Sequence, residues 1–112
     1  QINQIDLLKN RYPHISIGFS THEEPDNFDS IKIAVAKGAL LFEKHVAVET
    51  ENYTKNAYSA TPSQVKQWLT AASDALSMCG IQEKRHSSSA KEIADLRQFK
   101  RGVFPRHKKG QY

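Results

Sequence analysis

The apolar positions along the chain repeat with a helical period in some segments and with a strand period in others. Residues 2–11 carry isoleucines and leucines at roughly helical spacing, and the pair Tyr12-Pro13 ends that segment. Residues 14–20, HISIGFS, instead alternate between apolar and small polar side chains. Because successive side chains of a strand point to opposite faces, this alternation predicts a strand with one apolar face.

A second helix and a second strand are predicted next. After Pro25 the apolar side chains return to helical spacing, with Asp26 or Asn27 as the N-terminal cap. The predicted apolar face consists of Phe28, Ile31, Ala34 and Val35. Gly38 stands where a C-terminal cap belongs, and residues 39–46, ALLFEKHV, form the second predicted strand.

The clearest helix signal follows a polar loop. Thr61 is the predicted N-cap, Pro62 occupies the first helical position, and Gly80 ends the helix. Its predicted apolar stripe is Val65, Trp68, Leu69, Ala72, Leu76 and Met78 or Cys79. A serine-rich linker follows, with one short helix predicted over residues 89–96 and a further strand beginning at RGVFP. The alternation of helices and strands implies parallel strands joined by helical crossovers.

Each predicted strand runs into a histidine. His22 has the parity of Ser20 in GFSTHE, and His45 has the parity of Glu43 in LFEKHV. An open sheet covered by helices on both faces would bury Glu43 without a partner, at a cost of several kcal/mol. A closed (β/α) barrel instead places this polar side at its carboxyl-end mouth, where barrel enzymes carry their catalytic groups. The parity therefore favours a barrel.

In that arrangement His22 and His45 would lie close together, because neighbouring strands are about 4.8 Å apart. Two imidazoles at such a position can bind one metal ion. A loop histidine at position 22 and a solvent-exposed histidine at position 45 would produce the same sequence, so spacing alone leaves both interpretations open.

Composition narrows the class of protein. The 112 residues fit a single domain at most, and one cysteine, Cys79, excludes an internal disulfide framework. No apolar run approaches membrane-spanning length and no targeting segment is present, so we expect a cytoplasmic protein without a membrane partner. The net charge of +4 comes from a basic excess late in the chain. Since no recognised nucleic-acid-binding module accompanies it, we expect no nucleic-acid partner.

Four motifs together resemble the N-acetylneuraminate (sialic acid) synthase family. GFSTHE is similar to that family's G-[YFL]-S-D-H-T motif, and LFEKHV is similar to its [IL]-[EL]-[EK]-[KR]-H-F strand. YSATPSQVKQWL is similar to its S-x-x-P-x-[EQF] helix start. LRQFKRGVFPRHKKGQ is similar to its junction into a C-terminal antifreeze-like (SAF) domain. The motifs occur in the family's order and cover nearly the whole chain.

The resemblance implies a fold and a domain organisation. The chain would be the C-terminal portion of a (β/α)8 TIM barrel, comprising its last two parallel strands with their helices, followed by a linker. Residues 1–80 would hold these βα units, residues 81–98 the linker, and residues 99–112 the truncated start of the antifreeze-like domain. The resemblance also implies a homodimer at full length, and both ends of the chain look like cuts through a longer protein.

The resemblance further implies an activity and a set of site residues. Members of the family condense phosphoenolpyruvate with an N-acylated amino sugar, typically N-acetylmannosamine, and release phosphate, using a divalent metal that is commonly Mn²⁺. Carried over residue by residue, His22 and His45 match the metal ligands. Ser20 matches a serine that contacts the phosphate of phosphoenolpyruvate. Glu43 matches an acidic residue close to the reacting centre and is the predicted catalytic residue.

Two departures from the family's motifs leave the sugar undetermined. Thr21 stands where the family has an aspartate, and the loop ETENYTKNAYS has Lys55 or Asn56 near the place of a substrate-binding aspartate. Two other functions stay open, a non-catalytic interaction module derived from a barrel and a different metal-dependent barrel aldolase. The isolated chain is expected to be inactive, because a quarter of a barrel leaves strand edges unpaired and the mouth open to water.

Overall fold

A computed structural model describes residues 1–81 and 83–102, which fall into two compact units, Gln1–Gln82 and Glu83–Tyr112. The first unit contains helix α1 (Gln4–Arg11), strand β1 (Gly18–Ser20), helix α2 (Asp29–Ala36), strand β2 (Leu41–Glu43) and helix α3 (Pro62–Cys79). The second unit contains helix α4 (Ala90–Phe99). The predicted order of helices and strands is confirmed.

Strands β1 and β2 pair in parallel, and α2 forms the crossover between them. The register places Gly18 opposite Leu41, Phe19 opposite Phe42, and Ser20 opposite Glu43. Both strands are shorter than predicted. At the start of β1 the reason is a turn, in which the Ile15 N–H donates to the Tyr12 carbonyl at 3.1 Å. Ile15, predicted to face the helices, is therefore 62% exposed.

The core lies between one face of the sheet and the helices. Phe19 packs against a cluster formed by Ile5, Ile17, Ala34 and Ala39. Phe42 contacts this cluster and also a second one formed by Ile31, Trp68 and Ala71. The Phe42 and Trp68 rings meet edge to face, with centroids 6.1 Å apart. Trp68 is buried, as predicted.

The predicted apolar stripe of α3 is wrong in part. Four of its residues are exposed: Leu69, Leu76, Met78 and Cys79. The buried positions are Trp68, Ala71 and Ala75, which lie on one helical face because they are spaced by three and four residues. Alanine side chains let α2 and α3 approach closely, so α3 packs through its small residues and leaves its leucines outward.

The helix ends carry most of the predicted caps. At the start of α3, Thr61 Oγ1 accepts from the Gln64 N–H, and the Gln64 side chain accepts from the Thr61 N–H. The N-cap of α2 is Phe28, one residue after the predicted Asn27, although Asn27 Oδ1 still accepts from the N–H groups of Asp29 and Ser30. Gly80 (φ +66°) ends α3, and Gly38 (φ +85°) follows α2 in the left-handed region that glycine adopts at lowest cost. Gly38 therefore marks the point at which the chain leaves α2 for β2.

The second unit begins as its sequence predicts. Ser89 and Glu92 form a reciprocal capping box at the start of α4, and the helix runs a few residues past the predicted end at residue 96. This helix lies in the segment predicted as linker, residues 81–98, and extends one residue beyond it. Of the predicted strand at RGVFP and the predicted antifreeze-like segment, residues 103–112 lie outside the described residues, so those domain boundaries stay predictions.

No helix in the described parts of the chain has both the length and the apolar character needed to cross a bilayer.

Candidate active site

The carboxyl ends of β1 and β2 carry a hydroxyl and a carboxylate in contact. Ser20 and Glu43 form the last pair of the ladder, and Ser20 Oγ donates to Glu43 Oε2 at 3.1 Å. Both residues are exposed, whereas the neighbouring Phe19 and Phe42 point into the core. The predicted parity of the two strands is therefore observed, with polar side chains on the face away from the helices.

The two histidines converge beyond the end of the ladder. His22 Nε2 and His45 Nε2 lie 3.1 Å apart, with ring centroids separated by 4.9 Å and ring planes inclined by 55°. Both residues are exposed. Two imidazole nitrogens in this arrangement either share one proton in a hydrogen bond or direct their lone pairs at a common ligand.

The separation of these nitrogens fits two ligands of one divalent ion. With a metal–imidazole distance of about 2.0–2.1 Å, two nitrogens at angles of about 90–109° around an ion lie roughly 2.8–3.4 Å apart. The observed 3.1 Å falls within this range. Residues 1–81 and 83–102 contain no cluster of three or more His, Cys, Asp or Glu side chains suited to a metal. This part of the chain therefore offers two imidazoles, which leaves positions for oxygen ligands around a bound ion.

Tyr58 covers the imidazole pair. Its ring stacks on His22 with centroids 4.4 Å apart and meets His45 nearly edge-on at 5.2 Å. Backbone pairing places it there, because the Ala60 N–H donates to the His45 carbonyl at 2.9 Å and the Ala47 N–H donates to the Ala60 carbonyl at 3.0 Å. Tyr58 thus lies beside both imidazoles.

The rest of the loop has structural roles. Tyr53, another tyrosine of this loop, exchanges two backbone hydrogen bonds with Thr50 in a tight turn and is exposed. Asn56 Oδ1 accepts from the Ser59 N–H at 2.8 Å, which makes it a turn-forming residue. The Asn56 side chain therefore serves the turn of its own loop.

A buried ion pair that the sequence analysis missed lies on the helix side of the histidines. Lys44 Nζ is 3.3 Å from Glu23 Oε1, and the two side chains are only 4% and 12% exposed. The Glu23 carboxylate also accepts from the hydroxyls of Thr21 and Ser30. Thr21, which replaces the aspartate of the resembled motif, thus contacts a carboxylate two positions further along. One feature of the sequence could have predicted this pair: two residues of opposite charge each adjoin one of the histidines.

His22 borders a cleft of about 510 Å³. The cleft is also lined by Ser20 and Glu23, by the start of α2 and by residues that precede α1, and its volume suits a small metabolite. A cleft of about 520 Å³ lies at the amino ends of the strands, near His14 and Leu40. We assign the candidate site to the carboxyl-end cleft because imidazole, hydroxyl and carboxylate groups converge there.

Parallel strands joined by a helix, with reactive side chains gathered at their carboxyl ends, define an α/β protein of the kind that binds ligands at this edge. The sequence model of the NeuB family matches residues 1–84, so the chain belongs to the NeuB family. The resemblance inferred from the four motifs is confirmed.

A solved structure is also similar to this chain. It is the crystal structure of a protein from Chromobacterium violaceum ATCC 12472 assigned as spore coat polysaccharide biosynthesis protein E, with 47% sequence identity and a TM-score of 0.81. The match covers 93% of this chain and 31% of that chain, so this chain spans less than a third of that protein's length. Among curated proteins, none matched the chain at a significant level.

Proposed function

We propose that the protein carrying this chain is a nonulosonic (sialic) acid synthase, which condenses phosphoenolpyruvate with an N-acylated amino sugar such as N-acetylmannosamine and releases phosphate. The observation that carries the proposal is the convergence of His22, His45, Ser20 and Glu43 at the carboxyl ends of two parallel strands in a member of the NeuB family. In this proposal the strands belong to a (β/α)8 barrel, which collects its reactive side chains at that end. The protein would act as a cytoplasmic homodimer with an antifreeze-like domain.

In this proposal His22 and His45 hold a divalent ion, taken to be Mn²⁺. When bound, such an ion supplies Lewis-acid polarisation of the aldehyde oxygen of the open-chain sugar. Glu43, oriented by the Ser20 hydroxyl, can accept a hydrogen bond from water or from a sugar hydroxyl next to the imidazoles. Tyr58, stacked on His22, shields one face of the imidazole pair from bulk water.

Ser20 has to change its partner to bind a phosphate. A hydroxyl has a single proton to donate, and that proton is directed at Glu43. Phosphate and Glu43 are both anionic and repel each other, so the positive charge of an ion at the histidines would favour their coexistence. Binding phosphoenolpyruvate would therefore rotate the Ser20 hydroxyl away from Glu43 and toward a phosphate oxygen.

We test the activity with the naturally encoded protein that carries this sequence, supplied with Mn²⁺, phosphoenolpyruvate and a panel of N-acylated amino sugars. Phosphate release should require both substrates, and mass spectrometry should detect the condensed acid. Condensation of pyruvate without phosphate release would instead support the alternative aldolase. Failure to release phosphate with every N-acylated sugar of the panel would overturn the synthase proposal. The 112-residue chain alone should show no turnover above that of its His45→Ala variant.

Ser20→Ala should raise the Michaelis constant for phosphoenolpyruvate about tenfold, because one charge-assisted hydrogen bond contributes roughly 1–3 kcal/mol. Mn²⁺ affinity should stay unchanged, since Ser20 touches neither histidine in the described contacts. Steady-state kinetics and calorimetric titration of Mn²⁺ measure the two effects. Ser16→Ala, an exposed serine of the same parity, is the matched control. A fall in kcat with an unchanged Michaelis constant would show that Ser20 serves only to orient Glu43.

A further inference from the structure

The ladder that pairs the two strands ends before it reaches the histidines. Its last pair is Ser20 and Glu43, and each histidine lies two residues further along. On the β2 side, the His45 carbonyl accepts from the Ala60 N–H, which anchors that strand end. On the β1 side, the side chain of Glu23 makes the contacts that follow the ladder. The separation of the imidazoles therefore depends on interactions outside the ladder.

The Glu23–Lys44 ion pair connects the two strand ends at this level. Glu23 is bonded through the backbone to His22, and Lys44 is bonded in the same way to His45. Because successive side chains alternate between faces, the ion pair lies on the helix side while the imidazoles lie on the opposite side. A contact of 3.3 Å between the charged groups thus limits how far the two histidine backbones can separate.

Glu23 also connects the strand ends to α2. Its carboxylate accepts from Ser30 Oγ, in the first turn of α2, at 3.2 Å and from the Thr21 hydroxyl next to His22. The same carboxylate therefore contacts the end of β1, the start of α2 and, through Lys44, the end of β2. Three contacts to one carboxylate hold Glu23 against both strand ends and α2, and the backbone of the adjoining His22 is held with it.

Burial makes this ion pair a poor means of stabilising the fold. Removing two charges from water costs several kcal/mol per ion, and an apolar pair of similar size is often as stable or more stable. The contacts of the pair only partly offset this desolvation cost, because the Lys44 ammonium makes no well-aligned hydrogen bond with the described residues. A role in positioning therefore accounts for the pair better than a contribution to stability.

We propose that Glu23 and Lys44 are positioning residues that set the separation of the His22 and His45 imidazoles and so prepare them to bind one divalent ion. This inference rests on the proposed function only in assigning a metal to the imidazoles. The geometric part, that the ion pair holds the two nitrogens about 3.1 Å apart, stands on the contacts of this chain.

The test is the double variant Glu23→Gln/Lys44→Met in the naturally encoded protein, which removes both charges and leaves the net charge unchanged. Asp6→Asn/Lys37→Met is the matched control, because it removes another ion pair between residues far apart in the sequence. The single variant Lys44→Arg keeps the charge pair, so it should keep the Mn²⁺ affinity of the wild type. The measurements are calorimetric titration of Mn²⁺, urea unfolding followed by circular dichroism, and crystal structures of the wild-type and double-variant proteins.

We expect Mn²⁺ affinity to fall roughly 10–100-fold in the Glu23→Gln/Lys44→Met variant, as it does when an outer-shell partner of a metal ligand is lost. Its unfolding midpoint should equal or exceed that of the wild type, and its Nε2–Nε2 distance should increase. The control variant should keep wild-type metal affinity. Should the double variant not fold, Glu23→Asp, which retains the charge but shortens the side chain, should show the same loss of affinity.

Wild-type Mn²⁺ affinity together with a wild-type imidazole separation in the double variant would overturn the inference, as would wild-type affinity in a folded Glu23→Asp protein. A wild-type protein that binds no Mn²⁺ would instead defeat the proposed metal site. In that case the imidazole separations in the two crystal structures still decide whether the ion pair positions the histidines.

Discussion

Replacing either His22 or His45 with alanine in the naturally encoded protein is expected to abolish measurable Mn²⁺ binding and nearly all of the proposed synthase activity. The two imidazoles are the proposed metal ligands, and this chain brings their nitrogens together, so each variant removes half of that pair. The loss of affinity should exceed the roughly 10–100-fold effect of losing an outer-shell partner, because a direct ligand is removed. Calorimetric titration of Mn²⁺ and phosphate-release assays measure the two consequences.

His14→Ala is the appropriate control for these variants, since His14 is exposed and borders the cleft at the opposite ends of the strands. It should bind Mn²⁺ and turn over like the wild type. Ser20→Ala should retain metal affinity while it loses affinity for phosphoenolpyruvate, which separates the two parts of the site. Wild-type metal affinity in both histidine variants would contradict the metal assignment and leave His22 and His45 as a hydrogen-bonded surface pair.

Ile31→Ala is expected to lower the free energy of unfolding by about 2–5 kcal/mol. Ile31 is 0% exposed and packs with Trp68 and Ala71, so truncation leaves a cavity between α2 and α3. Ile33, on the same helix but 46% exposed, provides the matched control. Ile33→Ala removes the same atoms from a position that is already partly solvated, and its cost should stay below about 1 kcal/mol.

Urea unfolding followed by circular dichroism compares the two isoleucine variants. Equal losses at positions 31 and 33 would contradict the packing of α2 against α3, because Ile31 is fully buried there whereas Ile33 is 46% exposed. The comparison is independent of the metal and of the substrates, so it tests the scaffold that carries the site.

Local interactions made several features predictable from sequence. The capping box of Thr61 and Gln64 forms within one helical turn, so the start of α3 is specified by adjacent residues. The left-handed backbone at Gly38 and Gly80 likewise depends on the absence of a Cβ at those positions. The order of helices and strands follows from such local signals together with hydrophobic periodicity.

Tertiary packing determined which face of α3 is buried and how long the strands are, and hydrophobic periodicity did not predict either feature. Hydrophobicity alone favoured Leu69 and Leu76 for the buried face of α3, yet α2 packs against the face that contains Ala71 and Ala75. The length of β1 similarly depended on the turn in which Ile15 bonds to Tyr12 instead of pairing with β2. In both cases the outcome depends on which neighbouring surface is available, and the residue pattern of one segment does not contain that information.

The candidate site shows the same division. The alternation of side chains along each strand was enough to predict that Ser20 and His22 share a face, and that Glu43 and His45 share a face. The period of a strand is a local property, so no tertiary information was needed. Only the tertiary structure set the register that places Ser20 opposite Glu43 and brings the imidazole nitrogens within 3.1 Å. It alone also placed Tyr58 over the histidines and Glu23 against Lys44. These contacts join residues far apart in the chain, so they exist only once α2 and the loop before α3 have folded back onto the strand ends.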